Sequence, residues 1–391
     1  MPKPPCEPVP IVTLLTRQNL ILIHFPDHIS NLASRNAPIC DLSELSILLI
    51  PGVIGFYKGG IELGVRPYPL ELLMLECMQR RLYPGHRELE RIGDQIRRLE
   101  AGFSGEQKVD QYLEGLRLPR EWWVLRDIRL RMNKSHVAQF DTLMVTDRGI
   151  GIIESKLFKG TLRYQENPRR LERIEEDGSI LTFDCPIIQL ENQKEALIEW
   201  LRQRELMTSV KGVVAFASRN TWLGLPEHAP FVSVKELPYI MRRDFGTTAA
   251  TGGTPAHMIV NRILAEQLGP EWVRADRRYD IHPDDYKRGL LCETCHNILG
   301  WKTRRTLDCP QCGQPTGNPY RDALLDCFLL INPVITTRDY CNFTGIPSVS
   351  TGHRHLSSFE LDVLGSTCKQ AFRFDPKRHL AGKSLIQKRS R

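Results

Sequence analysis

The stretch Gln139–Lys156, QFDTLMVTDRGIGIIESK, sets two apolar runs around Asp147-Arg148-Gly149. A turn over Thr146–Gly149 makes it a hairpin, because Asp, Arg and Gly suit a short loop between strands. Val145 then faces Ile150, Leu143 faces Ile152, Asp141 faces Glu154 and Gln139 faces Lys156. Side chains alternate along a strand, so Asp141, Leu143 and Val145 share one face with Ile152, Glu154 and Lys156. Two carboxylates directly opposite each other repel. Either they are edge charges with Lys156 as a salt-bridge partner, or a divalent cation offsets the repulsion. Convergence of three charged groups on one face favours the cation, and oxygen ligands of this kind suit Mg²⁺. Lys156 would orient or deprotonate a water, or hold a phosphate oxygen.

Outward from the hairpin, the text on either side reads as alternating helices and strands. From Tyr68 to Leu116 it is helical, with charged faces and few breakers. In GEQKVDQYLEGL, Val109, Leu113 and Leu116 form a buried stripe, and Glu106 lies one turn earlier on it, pointing at the sheet. WWVLRDIRL alternates as a strand. TLRYQ and RLERIEEDGSILTF give a strand–turn–strand with Asp-Gly. PIIQLENQKEALIEWLRQRE starts a helix at Pro186, with Gln189 in line with Gln193 and Leu197. VKGVVAFAS is a short buried strand, and FVSVKELPYIMRR continues as strand then helix.

The chain has 391 residues, enough for two or three domains, with 25% charged and 41% hydrophobic residues. The longest apolar run, SILLIPGVIGF, is broken by Pro51 and too short for a bilayer. No signal-peptide pattern opens the sequence. A net charge of +7 is compatible with nucleic acid. Eleven cysteines without a secretion signal point to a reducing cytoplasm, where clustered thiols are metal ligands rather than disulfides. No Gly-rich phosphate loop appears, which argues against an NTPase.

Three segments together, GFSGEQKVDQYLEGL, VAQFDTLMVTDRGIGIIESKLFKGTL and PIIQLENQ, resemble the nuclease-related domain, NERD, of the PD-(D/E)XK nuclease superfamily. The resemblance spans roughly residues 66 to 243, and RPYPLELLMLE resembles the helical lead-in of bacterial members. It implies an α/β, restriction-endonuclease-like core, a mixed sheet flanked by helices. It also implies a metal-dependent nuclease site of Glu106, Asp141, Glu154 and Lys156, with Gln189 as auxiliary. The cation would be Mg²⁺ or Mn²⁺, bound by Asp141, Glu154 and Glu106. Cys185 stands before Pro186 where the family often has Asn.

Cys292, Cys295, Cys309 and Cys312 form two C-x-x-C knuckles with Gly313 after the second. This spacing predicts a Cys₄ zinc ribbon, a closed structural site, in preference to a redox pair. Lys302, Arg304 and Arg305 lie in its loop, as phosphate contacts or as a solvated charged loop. The ribbon resembles those appended to type I topoisomerases, which implies single-stranded DNA. Beyond it, YRDALLDCFLLI reads as a helix and TTRDYCNFTGIPSVSTGHRHLSSFEL as helix, turn, helix. Thr336 or Thr337 caps the first, Gly345 sits in the turn, and KQAFRFD is a candidate wing strand. This helix-turn-helix-like segment serves DNA recognition, packing or dimerisation. Cys185, Cys327, Cys341 and Cys368 lack metal spacing and read as buried or incidental thiols.

The expected organisation is a poorly structured extension over 1–62, a helical lead-in over 63–104 and the nuclease-like domain over 105–245. A helical linker over 246–286 follows, then the ribbon over 287–318, the helix-turn-helix-like segment over 319–375 and a basic disordered tail over 376–391. Lys58-Gly59-Gly60 requires purine-rich codons resembling a ribosome-binding site, with Leu63 or Val65 as a start just downstream, so 1–62 reads as translated leader. The expected function is metal-dependent hydrolysis of DNA in processing, repair or defence, without membrane association. The alternative is a non-cleaving nucleic-acid-binding protein or transcriptional regulator using the ribbon and the C-terminal segment.

Overall fold

The computed structural model describes residues 11–15, 20–24, 61–62, 66–246, 252–270, 272, 278–303, 306–314, 318–366, 370–381 and 384–385. Strands β1 (Ile11–Leu15) and β2 (Leu20–His24) pair antiparallel in a unit of their own. The remaining expectations for residues 1–60 lie outside the described residues. At the end of that stretch, β3 (Ile61–Glu62) pairs parallel with Trp123 and Val124, so the last residues of the expected leader edge a sheet.

The elements that follow are α1 (Leu70–Arg81), α2 (Leu89–Glu114), β4 (Trp122–Arg131), β5 (Val137–Thr146) and β6 (Gly149–Lys156). Next come β7 (Gly160–Glu166), β8 (Arg169–Ile174), β9 (Ile180–Asp184), α3 (Pro186–Arg202) and β10 (Val210–Phe216). Then come β11 (Asn220–Leu223), β12 (Phe231–Ser233), α4 (Leu237–Phe245) and α5 (Ala256–Glu266). A six-stranded mixed sheet runs in the order β12-β10-β6-β5-β4-β3, and a four-stranded sheet in the order β11-β7-β8-β9. The hairpin register is the one alternation dictates: Val145 opposes Ile150 and Leu143 opposes Ile152.

Alternation also decides which helix covers which face. Leu143, Val145, Ile150 and Ile152 pack beneath Leu190 and Leu197 of α3 and Ile259, Val260 and Ile263 of α5. Met144, Ile153, Val124 and Ala215 face the other way, onto Val109 and Leu113 of α2 and Met241 and Phe245 of α4. The result is a mixed α/β sandwich of helices around a sheet, as a nuclease-like core requires. The central strand β6 is buried on both faces up to Ser155.

Residues 246–286, expected as a helical linker, take part in a core. Within them α5 buries Ala256, Ile259, Val260 and Ile263 completely, because its apolar side recurs at helical spacing between breaker-rich flanks. The lead-in is not separate from the C-terminal segment. Leu72, Leu75 and Met78 of α1, and Ile92 and Ile96 of α2, share one core with Leu324, Phe328, Tyr340, Leu356 and Phe372. Helix α2 therefore runs from that core to the underside of the nuclease-like sheet. Finally, the tail begins in order: Pro376–His379 is a helical turn with His379 buried, and residues 386–391 lie outside the described residues.

The C-terminal lobe is more than helical. After the Pro319–Leu330 helix come β15 (Val334–Thr336), the Thr337–Thr344 helix, the Val349–Ser357 helix, β16 (Asp362–Leu364) and β17 (Ala371–Arg373). Strand β17, within the expected wing, pairs with both β15 and β16. This is the order and pairing of a winged helix. Thr336 accepts the N–H of Asp339, whose carboxylate accepts the N–H of Thr336, a capping box. Gly345 turns the chain at φ 70°. Among the described residues no helix is long and apolar enough to cross a membrane.

Candidate active site and metal centre

The β5–β6 ladder ends at Thr142 opposite Ile153. Asp141 and Glu154 therefore stand just past the last paired residues, where the strands part. The Asp141 carboxylate accepts the Ser155 N–H at 2.9 Å, a donor left over by the parting. On its other side, the β4–β5 register passes from Arg126–Thr142 to Ile128–Phe140. The residue between, Asp127, adopts φ 49°, a conformation that L-residues occupy at a cost of about 1–2 kcal/mol. Its carboxylate accepts from Gln139 Nε2 at 2.8 Å.

Glu154 is 2% exposed, and both its oxygens are engaged. Lys156 Nζ donates to Oε1 at 2.7 Å and Gln189 Nε2 to the same oxygen at 2.6 Å. Gln193 Nε2 donates to Oε2 at 2.8 Å and to the Gln139 carbonyl at 3.1 Å. Gln189 Oε1 accepts from Lys156 at 3.0 Å, so amide, amine and carboxylate form a closed triangle. The other end of the Gln193 amide, Oε1, is buried without a partner.

Glu106 reaches the same region from α2. Gly105 makes this approach possible: a Cβ there would lie 3.2 Å from Leu157 Cβ and 3.5 Å from Ser155 Oγ. Buried Arg66 spans the gap between helix and sheet. It donates to Glu106 Oε2 at 2.8 Å, to both oxygens of Asp110 at 2.7 and 3.1 Å, to the Asp141 carbonyl at 2.9 Å and to Thr142 Oγ1 at 2.7 Å. Arg126 adds a second cation on Asp110 at 2.9 Å.

Burial pushes the Asp141 carboxyl well above the usual range, and the charges of Glu154 and Glu106 push it further. Glu106 is pushed up to about 7, first by burial and then by Asp127 and Asp110, against the pull of Arg66. A site that raises its own carboxyl groups in this way favours a proton or a cation over empty charge.

The cysteines form a second centre, in a ribbon whose strands are β13 (Gly300–Trp301) and β14 (Leu307–Asp308). Sγ atoms of Cys292 and Cys312 lie 3.6 Å apart, and those of Cys295 and Cys309 lie 3.4 Å apart. The two knuckles have one geometry. His296 (φ 55°) and Gly313 (φ 64°) each turn left-handed after the second cysteine and donate N–H to the carbonyl of the first, both at 3.0 Å. All four thiols lie within 4.8 Å of one another, which fits the tetrahedral site of a zinc ribbon. Among the described residues no three carboxylates meet that distance, and Glu106 shares Arg66 with Asp110.

Residues 101–217 match the nuclease-related domain, NERD. The chain carries a NERD domain. No curated protein and no solved structure matches the chain.

The NERD segment contains Glu106, Asp141, Glu154, Lys156 and Gln189. Lys156 and Gln189 meet on Glu154, whereas Asp141 meets the Ser155 amide and Glu106 meets Arg66. The cysteine ribbon and Arg66 lie outside the segment. Sequence reasoning missed Arg66, Asp110, Asp127 and Gln193 as members of the site. For Asp110 and Gln193 a signal existed, because each is a polar residue on the buried stripe of its helix. Arg66 is a lone cation in a proline-flanked coil, and nothing local marks it.

Proposed function

We propose that the NERD domain hydrolyses phosphodiester bonds of DNA with Mg²⁺ or Mn²⁺ held by Asp141 and Glu154, with Glu106 completing the set. The observation that carries this is the placement of Asp141 and Glu154 just past the last paired residues of β5 and β6, with Lys156 fixed on Glu154. The donor set fits a hard divalent ion. It consists of carboxylate oxygens, one of them on a carboxyl pushed well above its normal range, beside an orphaned buried amide oxygen of Gln193. A divalent ion bound there supplies acidification of a water and neutralisation of phosphate charge. Gln189 and Gln193 hold the Glu154 carboxylate in one orientation. Gln189 also fixes the Lys156 amine, which faces the attacking oxygen or the charge that develops on the phosphate. Arg66 balances Glu106 and Asp110 and ties α2 to the β5 backbone.

The four cysteines hold one structural Zn²⁺ in this reading, and the protein works in the cytoplasm. Incubation of purified protein with single- and double-stranded DNA, in Mg²⁺, Mn²⁺ or neither, tests the proposal. Fragments are expected only with a divalent ion. Failure with every ion on both substrates would turn the assignment to a second reading, a non-cleaving nucleic-acid-binding protein or regulator. That reading is favoured by the winged-helix topology, whose Val349–Ser357 helix exposes His353 and Arg354.

A further inference from the structure

A guanidinium offers its N–H donors in one rigid plane, and buried Arg66 uses all three of its nitrogens. Nε and Nη2 fork onto the two oxygens of Asp110, at 2.7 and 3.1 Å. Nη2 also reaches Thr142 Oγ1 at 2.7 Å. Nη1 donates to Glu106 Oε2 at 2.8 Å and to the Asp141 carbonyl at 2.9 Å. One nitrogen thus joins a side chain of α2 to the backbone of Asp141 on β5. The fork is anchored from behind, because Arg126 Nε holds Asp110 Oδ1 at 2.9 Å. Asp110 itself lies one helical turn after Glu106 on α2, so both carboxylates reach the guanidinium from the same side of the helix.

Exposure separates the roles of the two partners. The Arg66 side chain is 3% exposed, too deep to meet a phosphate, whereas that of Glu106 keeps 26% open to solvent. Arg66 therefore acts through Glu106. The contacts also leave oxygens to spare. Glu106 accepts on Oε2 and Asp141 on Oδ2, and among the described residues none donates to Glu106 Oε1 or Asp141 Oδ1. One oxygen of each carboxylate remains for an ion that prefers oxygen ligands. The charge of Arg66 does not stand against such an ion. With both carboxylates ionised, Arg66 and Arg126 are matched by Asp110 and Glu106, and the unit is neutral. What Arg66 supplies is direction, since its planar fork fixes several acceptors at once where a single ammonium could not.

We propose that Arg66 is a positioning residue of the cation site: it fixes Glu106 against the Asp141 backbone, so that the spare oxygens of Glu106 and Asp141 serve one divalent ion. The lead-in helices are then more than a support, because Arg66, which precedes them, lies outside the NERD segment and the segment alone is an incomplete site. The inference rests on the cation reading above and adds what sets the affinity there.

The test is Mn²⁺ binding to full-length, zinc-loaded protein, read by electron paramagnetic resonance of the free ion, so that no cleavage is needed. Wild type is compared with Asp141→Asn, Arg66→Lys, Glu106→Gln and the Arg66→Lys, Glu106→Gln double variant, each checked for folding by circular dichroism. Lysine keeps the charge, but its one nitrogen cannot hold Asp110, Glu106 and the Asp141 carbonyl together. Arg66→Lys is expected to weaken Mn²⁺ binding by about 10- to 100-fold, the usual loss when a group that orients a metal ligand is removed. On the Glu106→Gln background the same change should do almost nothing, since Arg66 acts through Glu106. Equal losses on the two backgrounds would overturn the proposal in favour of general packing. Wild-type affinity in Arg66→Lys would overturn it and leave the cation reading standing. Tighter binding would overturn it too, making Arg66 a competitor for Glu106. Binding by wild type no better than by Asp141→Asn would overturn the cation reading and the proposal with it. Where Arg66→Lys fails to fold, Asp110→Asn, which loosens the fork and leaves Arg66 in place, decides instead: weaker binding supports the proposal and unchanged binding overturns it.

Discussion

Asp141→Asn is the substitution whose consequences can be worked furthest. It removes one negative charge beside Glu154 and Glu106 while keeping an oxygen that can accept the Ser155 N–H. Glu106 ionises at about 7 in the fold against an ordinary 4.5, for burial and for its acidic neighbours. At about 1.36 kcal/mol per unit, holding it ionised in the metal-free fold costs up to about 3 kcal/mol. Asp141 is displaced in the same direction. Below pH 4.5 the Glu106 carboxyl is protonated whether the chain is folded or not. Between 4.5 and 7 the folded chain keeps a proton that the unfolded chain has lost. Stability of the metal-free protein therefore falls as pH rises through that window, and the full cost is present above 7. Asparagine removes the cost of Asp141, including its repulsion from Glu154 and Glu106. In metal-free buffer at pH 8 the variant should be more stable than wild type by about 1–3 kcal/mol, and the gap should narrow toward pH 5. Saturating Mg²⁺ should stabilise the wild type, by about 2.7 kcal/mol at a hundred times Kd, and leave the variant unmoved. Urea denaturation at pH 5, 6.5 and 8, with and without Mg²⁺, reads all of this. A variant less stable than wild type at pH 8, or equal stabilisation of both proteins by Mg²⁺, would refute the electrostatic reasoning.

Three further outcomes are expected. Elemental analysis should find about one zinc per chain, and Cys309→Ser should lose it and loosen the adjoining Ala323 and Tyr320 packing, while the NERD sheet survives by circular dichroism. Arg66→Met should cost about 3–5 kcal/mol in denaturation, because Glu106 loses its cation and Asp110 keeps only Arg126; a cost under 1 kcal/mol would show that the buried ion pairs are not needed. Gly352→Ala should destabilise the C-terminal lobe by about 1–3 kcal/mol, since the added methyl would stand 2.4 Å from Cys341 Sγ, and hydrogen exchange in the Val349–Ser357 helix should rise.

How much of this was legible depended on the range of the interactions. The hairpin register follows from alternation over adjacent residues, so Leu143 and Val145 could be placed opposite Ile152 and Ile150 from the text alone. The thiol cluster follows from spacing within two knuckles. Where the strands would part was not legible: the ladder ends at Thr142 and Ile153 beside a left-handed Asp127 in the neighbouring strand, and no local pattern announces either. Arg66 was hidden for a similar reason: its partners Glu106, Asp110 and Thr142 lie 40, 44 and 76 residues away. Helix α5 was expected as a helical linker, and its place in the core was not legible, because the Gly- and Pro-rich flanks hide which face of the sheet Ile259, Val260 and Ile263 cover. The wing sheet has three strands of three residues each, too short for any period to show.

The central claim is that Asp141 and Glu154 together hold the ion that cuts DNA, and the rate of cleavage by Asp141→Asn under Mg²⁺ tests it most directly. Cleavage by wild type that needs the ion, and a loss of at least about a thousandfold in the variant with its fold intact, is the predicted result. Cleavage by Asp141→Asn at the wild-type rate would contradict it.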